Sequence, residues 1–306
     1  MIIKKCLIYI RRYAKAPKKI IEIAGYKGLF NWMPDKSYLK LMYYLKLGKR
    51  LNLNNPLSFN QKIQWLKLND KNPMYTNLVD KYEVRKYISN TIGEEYLIPF
   101  IGVWNNFEEI DFSNLPNQFV LKCTHDSGGL IICKDKNSFD INEARKKIKK
   151  CLKRNYYFSS REWPYKNVQP RIICEKYMMD ESGAELKDYK FMCFNGKVKC
   201  SFVCLNRNSL SGLNVDFYDM NWKPMNFQRH YPNSGEIIPK PSNYNKMIEF
   251  SEKLSKDIPF VRVDFYEVYG KLYFGELTFY PGAGFEEFTP ESYDYLLGEW
   301  LQLANS

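Results

Sequence analysis

Alternation of apolar and polar residues is clearest in the second half of the chain. Val261, Val263 and Phe265 lead into "YGK" and on to Leu272 and Phe274, which predicts a β-hairpin over 261–278. "DYKFMCFNGKVKCSFVCL" (188–205) predicts another, about an Asn-Gly turn. "NQFVLKCTHDSGGLIICKD" (117–135) reads as strand, glycine-rich turn, strand. "YLIPFIGVW" and "RIICEKYM" each add a short strand, and "NVDFYDMNWKPM" a further hairpin. Elsewhere the period is helical. Met247, Phe250, Leu254 and Ile258 share one face, and residues 34–70 read as mainly helical with a cap at Ser58 or Asn60. Residues 79–93 read as one helix ending at Gly93, and Asp140 with Glu143 opens a helix by a capping box. Residues 1–25 read as a helix, a break at Pro17 and a short helix closed by Gly25. Strands and helices in separate runs predict an α+β class.

Charge changes this picture at one end only. The chain of 306 residues carries +12, and residues 1–50 hold thirteen Lys or Arg against Glu22 and Asp35, a net of +11. A basic end on a nearly neutral body points to an attachment device and away from nucleic acid. Within it, Ile2, Ile3, Cys6, Leu7, Ile10, Tyr13 and Ala14 fall on one helical face, and Lys4, Lys5, Arg11, Arg12 and Lys15 on the other. Such a helix can lie against an anionic membrane, or its apolar face can dock on the body. No apolar run reaches membrane-spanning length, and "MIIKKCLIYIRRY" lacks the features of a signal peptide, so the expected location is cytoplasmic, at or near the inner face of the membrane. Eight scattered cysteines without a CxxC pair read as reduced core residues, and two histidines disfavour zinc.

The predicted hairpin at 261–278 carries a carboxylate on each arm, Asp264 and Glu276, with Arg262 on the same face. A loop of Val268–Gly270 would place Glu276 diagonal to Asp264. Converging carboxylates repel unless a cation sits between them, and Mg²⁺ or Mn²⁺ would satisfy both while accepting phosphate oxygens. Neutralising either one is then expected to leave folding intact. The plain alternative is a solvated face with an Arg–Asp pair. Lys122 ends a strand before "CTHDSGG", where Ser127, Gly128 and Gly129 can bring backbone N–H groups to phosphates. Its alternative is an ordinary turn. Asp188 and Lys190 share a strand face, and Glu175 ends another strand.

In order and spacing, "VLK" with "HDSGG", "CEKYM", "DYK", "RVD" and "ELTFYPG" resemble the ATP-grasp superfamily. "FNQKIQWLKL", "DKYEVR", "LKCTHDSGG" and the 261–285 stretch resemble, more closely, its TupA-like members from bacterial cell-surface polysaccharide loci. The resemblance implies an ATP-grasp fold, two α+β subdomains holding ATP between them, with a mainly helical N-terminal extension. Expected units are 1–55 (basic, helical), 56–116 (helical), 117–180 (small subdomain with phosphate loop) and 181–306 (metal-binding subdomain). It implies an ATP-dependent carboxylate–amine ligase working through an acyl-phosphate, with a polysaccharide or uronic-acid acceptor and an amino acid or amine as co-substrate. It assigns Lys122 and Lys190 to phosphates, Ser127, Gly128 and Gly129 to the loop over them, Lys81 to the ATP-binding lysine that such ligases place upstream of that loop, Glu175 to the adenine–ribose side, and Asp188 to ribose or to orienting Lys190. Asp264 and Glu276 would hold Mg²⁺, with Thr278 standing where the superfamily usually has Asn, and Arg262 would stabilise the transferring charge. Arg207, Arg229 and His230 are candidates for an anionic acceptor site, with surface-loop residues as their alternative, and His125 for a substrate contact. The rival function is a glycosyltransferase, but no Asp-x-Asp motif is present.

Overall fold

The computed structural model describes residues 17–126, 128–180, 183, 186–206 and 212–304. The amphipathic helix expected within 1–16 lies outside the described residues, as do Ser127 and Arg207. Helices α1 (Pro17–Tyr26), α2 (Asp35–Leu47) and α3 (Phe59–Asn69) open the chain. Ser58 caps α3 by accepting the Gln61 N–H. Two expectations fail here. Gly25 lies inside α1 and does not end it. Residues 79–93 are not one helix: α4 (Met74–Val79) stops at Asp80 and α5 (Val84–Thr91) starts beyond it. Asp80 accepts the N–H groups of Tyr82 and Glu83, and such local bonding competes with the helical ladder. The break leaves Lys81 on a turn, its N–H bonded to the Thr124 carbonyl at 3.2 Å.

Strand β1 (Phe100–Trp104) follows, then the pair β2 (Phe119–Cys123) and β3 (Leu130–Cys133), helix α6 (Ile141–Leu152), the short α7 (Tyr157–Ser160) and strand β4 (Ile172–Lys176). The strands form one antiparallel sheet in the order β1-β4-β2-β3, so its first strand precedes residue 117. Leu121, Cys123, Ile172 and Cys174 point to one face and pack with Ala144 and Ile148 of α6. By alternation, Lys122 and Glu175 point to the other.

The larger sheet holds β5 (Asp188–Phe194), β6 (Lys197–Leu205), β7 (Asn214–Tyr218), β9 (Phe260–Val268) and β10 (Lys271–Thr278), in the order β10-β9-β5-β6-β7. A two-residue ladder, β8 (Gln228–Arg229) on β11 (Phe288–Thr289), lies beside it. The hairpin expected over 214–225 reduces to β7 and one bridge, Tyr218 to Pro224; proline has no N–H with which to extend a ladder. Helix α8 (Tyr244–Leu254) covers one face, where Phe191, Val263 and Phe265 are fully buried with Met247 and Leu254. Helix α9 (Ser292–Trp300) packs on α3. The opposite sheet face carries Asp188, Lys190, Arg262 and Asp264, and looks across a cleft at the smaller sheet. The seven described cysteines are free thiols, six of them buried.

Candidate functional site

The site begins with the turn of the β9–β10 hairpin. Tyr269 and Gly270 both take left-handed φ, 50° and 73°, so the loop has two residues and Lys271 pairs with Val268. The register expected from a three-residue loop is therefore wrong by one. Phe265 pairs with Phe274, and the next ladder partners are Val263 and Leu277. Asp264 thus faces two residues, Gly275 and Glu276, across a bulge. Gly275 suits that close approach, since a Cβ there would lie 3.0 Å from the Asp264 carbonyl oxygen.

The bulge sets Glu276 beside Asp264, and the cation between them is Arg262. Its Nε and Nη2 donate to Asp264 Oδ1 and Oδ2 at 2.6 Å each, and Nη2 also donates to Glu276 Oε1 at 2.8 Å. Lys190, directly opposite Asp264 on β5, donates to Asp264 Oδ2 and pairs with Asp188 Oδ2 at 2.6 Å. Three carboxylates and two cations alternate along one sheet face. Asp264 is therefore the counter-ion of two buried cations, and the expectation that neutralising it would be harmless is reversed. The two acids also differ in access: the Asp264 side chain is 1% exposed and that of Glu276 46%. Burial would raise the Glu276 pKa, but Arg262, Lys190 and Lys81 outweigh it and hold the carboxyl down to about 2. Burial and Arg262 oppose the charge on Lys190, yet Asp188, Asp264 and Glu276 together raise its pKa. Thr278 donates its hydroxyl to Glu276 Oε1 at 3.1 Å.

The smaller sheet supplies the facing wall. Glu175 lies diagonal to Lys122 and accepts from its Nζ at 2.6 Å, and from Arg85 Nη1 at 3.1 Å. Arg85 was missed from sequence, although it stands one helical turn beyond Lys81 in "DKYEVR". Lys81 Nζ donates to the Asp126 carbonyl at 2.8 Å, and Arg154 pairs with the Asp126 carboxylate. Burial lowers the Lys81 pKa, opposed by the nearby Glu276. Asp126 Oδ1 also accepts the Gly128 N–H at 3.1 Å, so the base of the glycine-rich turn is pinned from both sides. Gly128 is exposed, whereas Gly129 is buried, where a Cβ would lie 2.7 Å from Cys123 Sγ. His125 is neither solvated nor cleft-lining: it is buried, with Nε2 3.1 Å from the Cys151 carbonyl.

Lys81, Arg85, Lys122 and Glu175 thus meet Asp188, Lys190, Arg262 and Glu276 around one cleft of about 550 Å³. Arg229 also lines it, whereas His230 is exposed to solvent. Among the described residues no group of three or more His, Cys, Asp or Glu side chains forms a metal cage. The accessible donors are hard oxygens, the Glu276 carboxylate and the Thr278 hydroxyl beside Asp264. A Mg²⁺ ion typically takes one or two carboxylates and completes its shell with water and phosphate oxygens, so the donor set fits it.

Residues 61–302 match the model of the TupA-like ATP-grasp family. The chain belongs to that family. Its α+β architecture is accordingly the ATP-grasp fold. Similar solved structures include a D-alanine–D-alanine ligase from Bacillus anthracis, at 20% identity and TM-score 0.38 over 67% of this chain and 58% of that one. A second is the D-alanine–D-alanine ligase from Helicobacter pylori, at 13% identity and TM-score 0.39 over 80% and 69%. A third is a RimK-domain ATP-grasp protein from Sphaerobacter thermophilus, at 10% identity and TM-score 0.40 over 74% and 69%. The TupA-like chain thus spans little more than half the length of the Bacillus ligase. No curated protein matches it. Among its described residues no helix is long and apolar enough to cross a membrane.

Proposed function

We propose that this protein is an ATP-dependent carboxylate–amine ligase that forms an amide on a hexuronic acid of a cell-surface polysaccharide or its precursor. The observation that carries the ligase reading is the ring of cations, Lys81, Lys122, Lys190 and Arg262, on both walls of one cleft that also holds the half-exposed Glu276. Phosphoryl transfer to a carboxylate needs positioning and charge neutralisation more than a protein nucleophile, and the cleft offers these.

In this reading Lys81 and Lys122 take phosphate oxygens from the small-sheet side, and the turn at Ser127, Gly128 and Gly129 lies over them. Glu175 and Arg85 face the base and ribose, with Asp188 holding Lys190 toward the phosphates. Asp264 and Glu276, with Thr278, would hold Mg²⁺ or Mn²⁺, which supplies charge neutralisation at the transferred phosphate. Arg262, held between the two carboxylates in this structure, is placed to exchange one of them for a substrate oxyanion, stabilising the acyl-phosphate and the tetrahedral species formed when the amine attacks. The exposed Trp32 and Leu29, 77% and 65% accessible, together with the exposed Lys27 and Lys36 of the same segment, support contact with an anionic membrane where lipid-linked sugars are found.

Incubation with ATP, Mg²⁺ and a panel of uronic acids and amino acids tests the proposal. Release of ADP that depends on both partners is expected, with ¹⁸O from the acceptor carboxyl appearing in phosphate. Sugar transfer from a nucleotide-sugar without ADP formation would overturn it in favour of a glycosyltransferase.

A further inference from the structure

Arg229 has no part in the phosphate chemistry just described, yet it is a built feature. It is 7% exposed, and its guanidinium lies 4.8 Å from the Phe202 ring centroid and 5.4 Å from that of Phe217. Those rings stand opposite each other on β6 and β7, so they form a shelf for the cation. Nε comes within 2.9 Å of Glu286 Oε2, but neither atom is aligned for a hydrogen bond, and Nη1 has no hydrogen-bond partner among the described residues. A guanidinium carries five donors, and burying them unused is costly. Arg262 lies 5.8 Å from the same Phe202 centroid, and Phe202 is the cross-strand partner of Lys190. The unspent donors therefore share one aromatic ring with the group assigned to the transferring phosphate, and Arg229 and Glu286 both line the same cleft.

We propose that Arg229 binds a second substrate carboxylate, distinct from the one that is activated. The inference rests on the ligase reading above. A carboxylate is favoured because the guanidinium lies against aromatic rings with in-plane N–H groups unspent, the edge that accepts a planar anion bidentately. Its protein neighbour is itself a carboxylate, Glu286, close but misaligned, which the incoming group would replace. The source is either the α-carboxylate of an amino-acid co-substrate or a further carboxylate on the sugar acceptor. In both cases a substrate lacking the acid leaves Arg229 with only the misaligned Glu286 carboxylate, so Arg229 acts as a specificity residue.

Calorimetry on the full chain with Mg²⁺ and ADP tests this with two pairs of probes. Glutamate against its α-amide reports on the amine donor, and glucarate against glucuronate reports on the acceptor. Wild type is expected to prefer the additional acid by at least ~10-fold in one pair, given the strength of charge-assisted bonds. The pair that shows the preference names the source. Arg229→Gln should abolish that preference, and Arg229→Lys should keep only part of it. Glu286→Gln removes the competing carboxylate and should tighten binding of the acid probe several-fold, which keeps the test decisive if the Arg229 variants do not fold. The proposal is overturned if wild type shows no acid preference in either pair, if Arg229→Gln keeps it, or if Glu286→Gln weakens it. An ADP titration of wild type separates the two readings. Failure to bind ADP would sink the ligase assignment, whereas ADP binding without an acid preference sinks only the role of Arg229.

Discussion

Asp264→Asn and Glu276→Gln remove one negative charge each from the same hairpin, and the structure requires them to behave differently. Asp264 is 1% exposed and serves both Lys190 and Arg262. Removing one partner from a buried ion pair costs about 3–5 kcal/mol. Here each cation keeps another carboxylate, Asp188 at 2.6 Å for Lys190 and Glu276 at 2.8 Å for Arg262, so the lower end, about 3 kcal/mol, is expected. At roughly 2 °C per kcal/mol for a chain of this size, the melting temperature should fall by about 6 °C. Glu276 is 46% exposed, and half-solvated pairs contribute about 0–1 kcal/mol, so Glu276→Gln should shift melting by about 2 °C at most. In ADP release both variants should lose at least ~10²-fold, since both acids serve the developing charge. Differential scanning calorimetry and the coupled assay, run on the same preparations, give the four numbers. If Asp264→Asn melts with wild type, or if Glu276→Gln is the less stable of the two, the counter-ion argument is wrong. If both retain full activity, the metal assignment is wrong.

A carboxyl whose folded pKa is depressed lends stability that is complete above its unfolded value and lost as pH falls through the folded value. The cations around Glu276 hold its carboxyl down, and solvent screening of this half-exposed group limits the effect, so its midpoint in a ¹³C-carboxyl NMR titration should fall below 4.5; a midpoint at or above 4.5 would refute the network's influence on it. Gly129→Ala puts a Cβ 2.7 Å from Cys123 Sγ and should destabilise by about 1–3 kcal/mol in urea unfolding. Gly128→Ala, whose nearest contact would be 3.7 Å away, should unfold like wild type. Deleting residues 1–16 should weaken co-sedimentation with anionic vesicles, and added salt should weaken what remains. Equal binding by both forms, or a deletion that unfolds the body, would return that segment to the core.

The strands, the Ser58 and Asp140 caps and the order of the chemical groups follow from short-range rules, because period, caps and Asn-Gly turns are written in neighbouring residues. Thus Lys122, Glu175, Asp188, Lys190, Arg262, Asp264 and Glu276 could be singled out on their strands, and the resemblance to the ATP-grasp superfamily joined them into one candidate site before their positions in space were known. The hairpin register could not be settled that way. "VYGK" admits a two- or a three-residue loop, and the choice depends on whether Tyr269 accepts a left-handed φ, which the packing of the two arms decides. That single residue of slip turned a diagonal pair of acids into a bulged pair bridged by Arg262. Pairings between distant segments were equally illegible: Arg85 with Glu175, Arg154 with Asp126, and Arg229 with the rings of Phe202 and Phe217. A charged residue on a helix or turn reads as a solvated surface until the fold brings another element against it. Burial, which sets the strength of these interactions, is a property of the packed sheets and not of the sequence taken residue by residue.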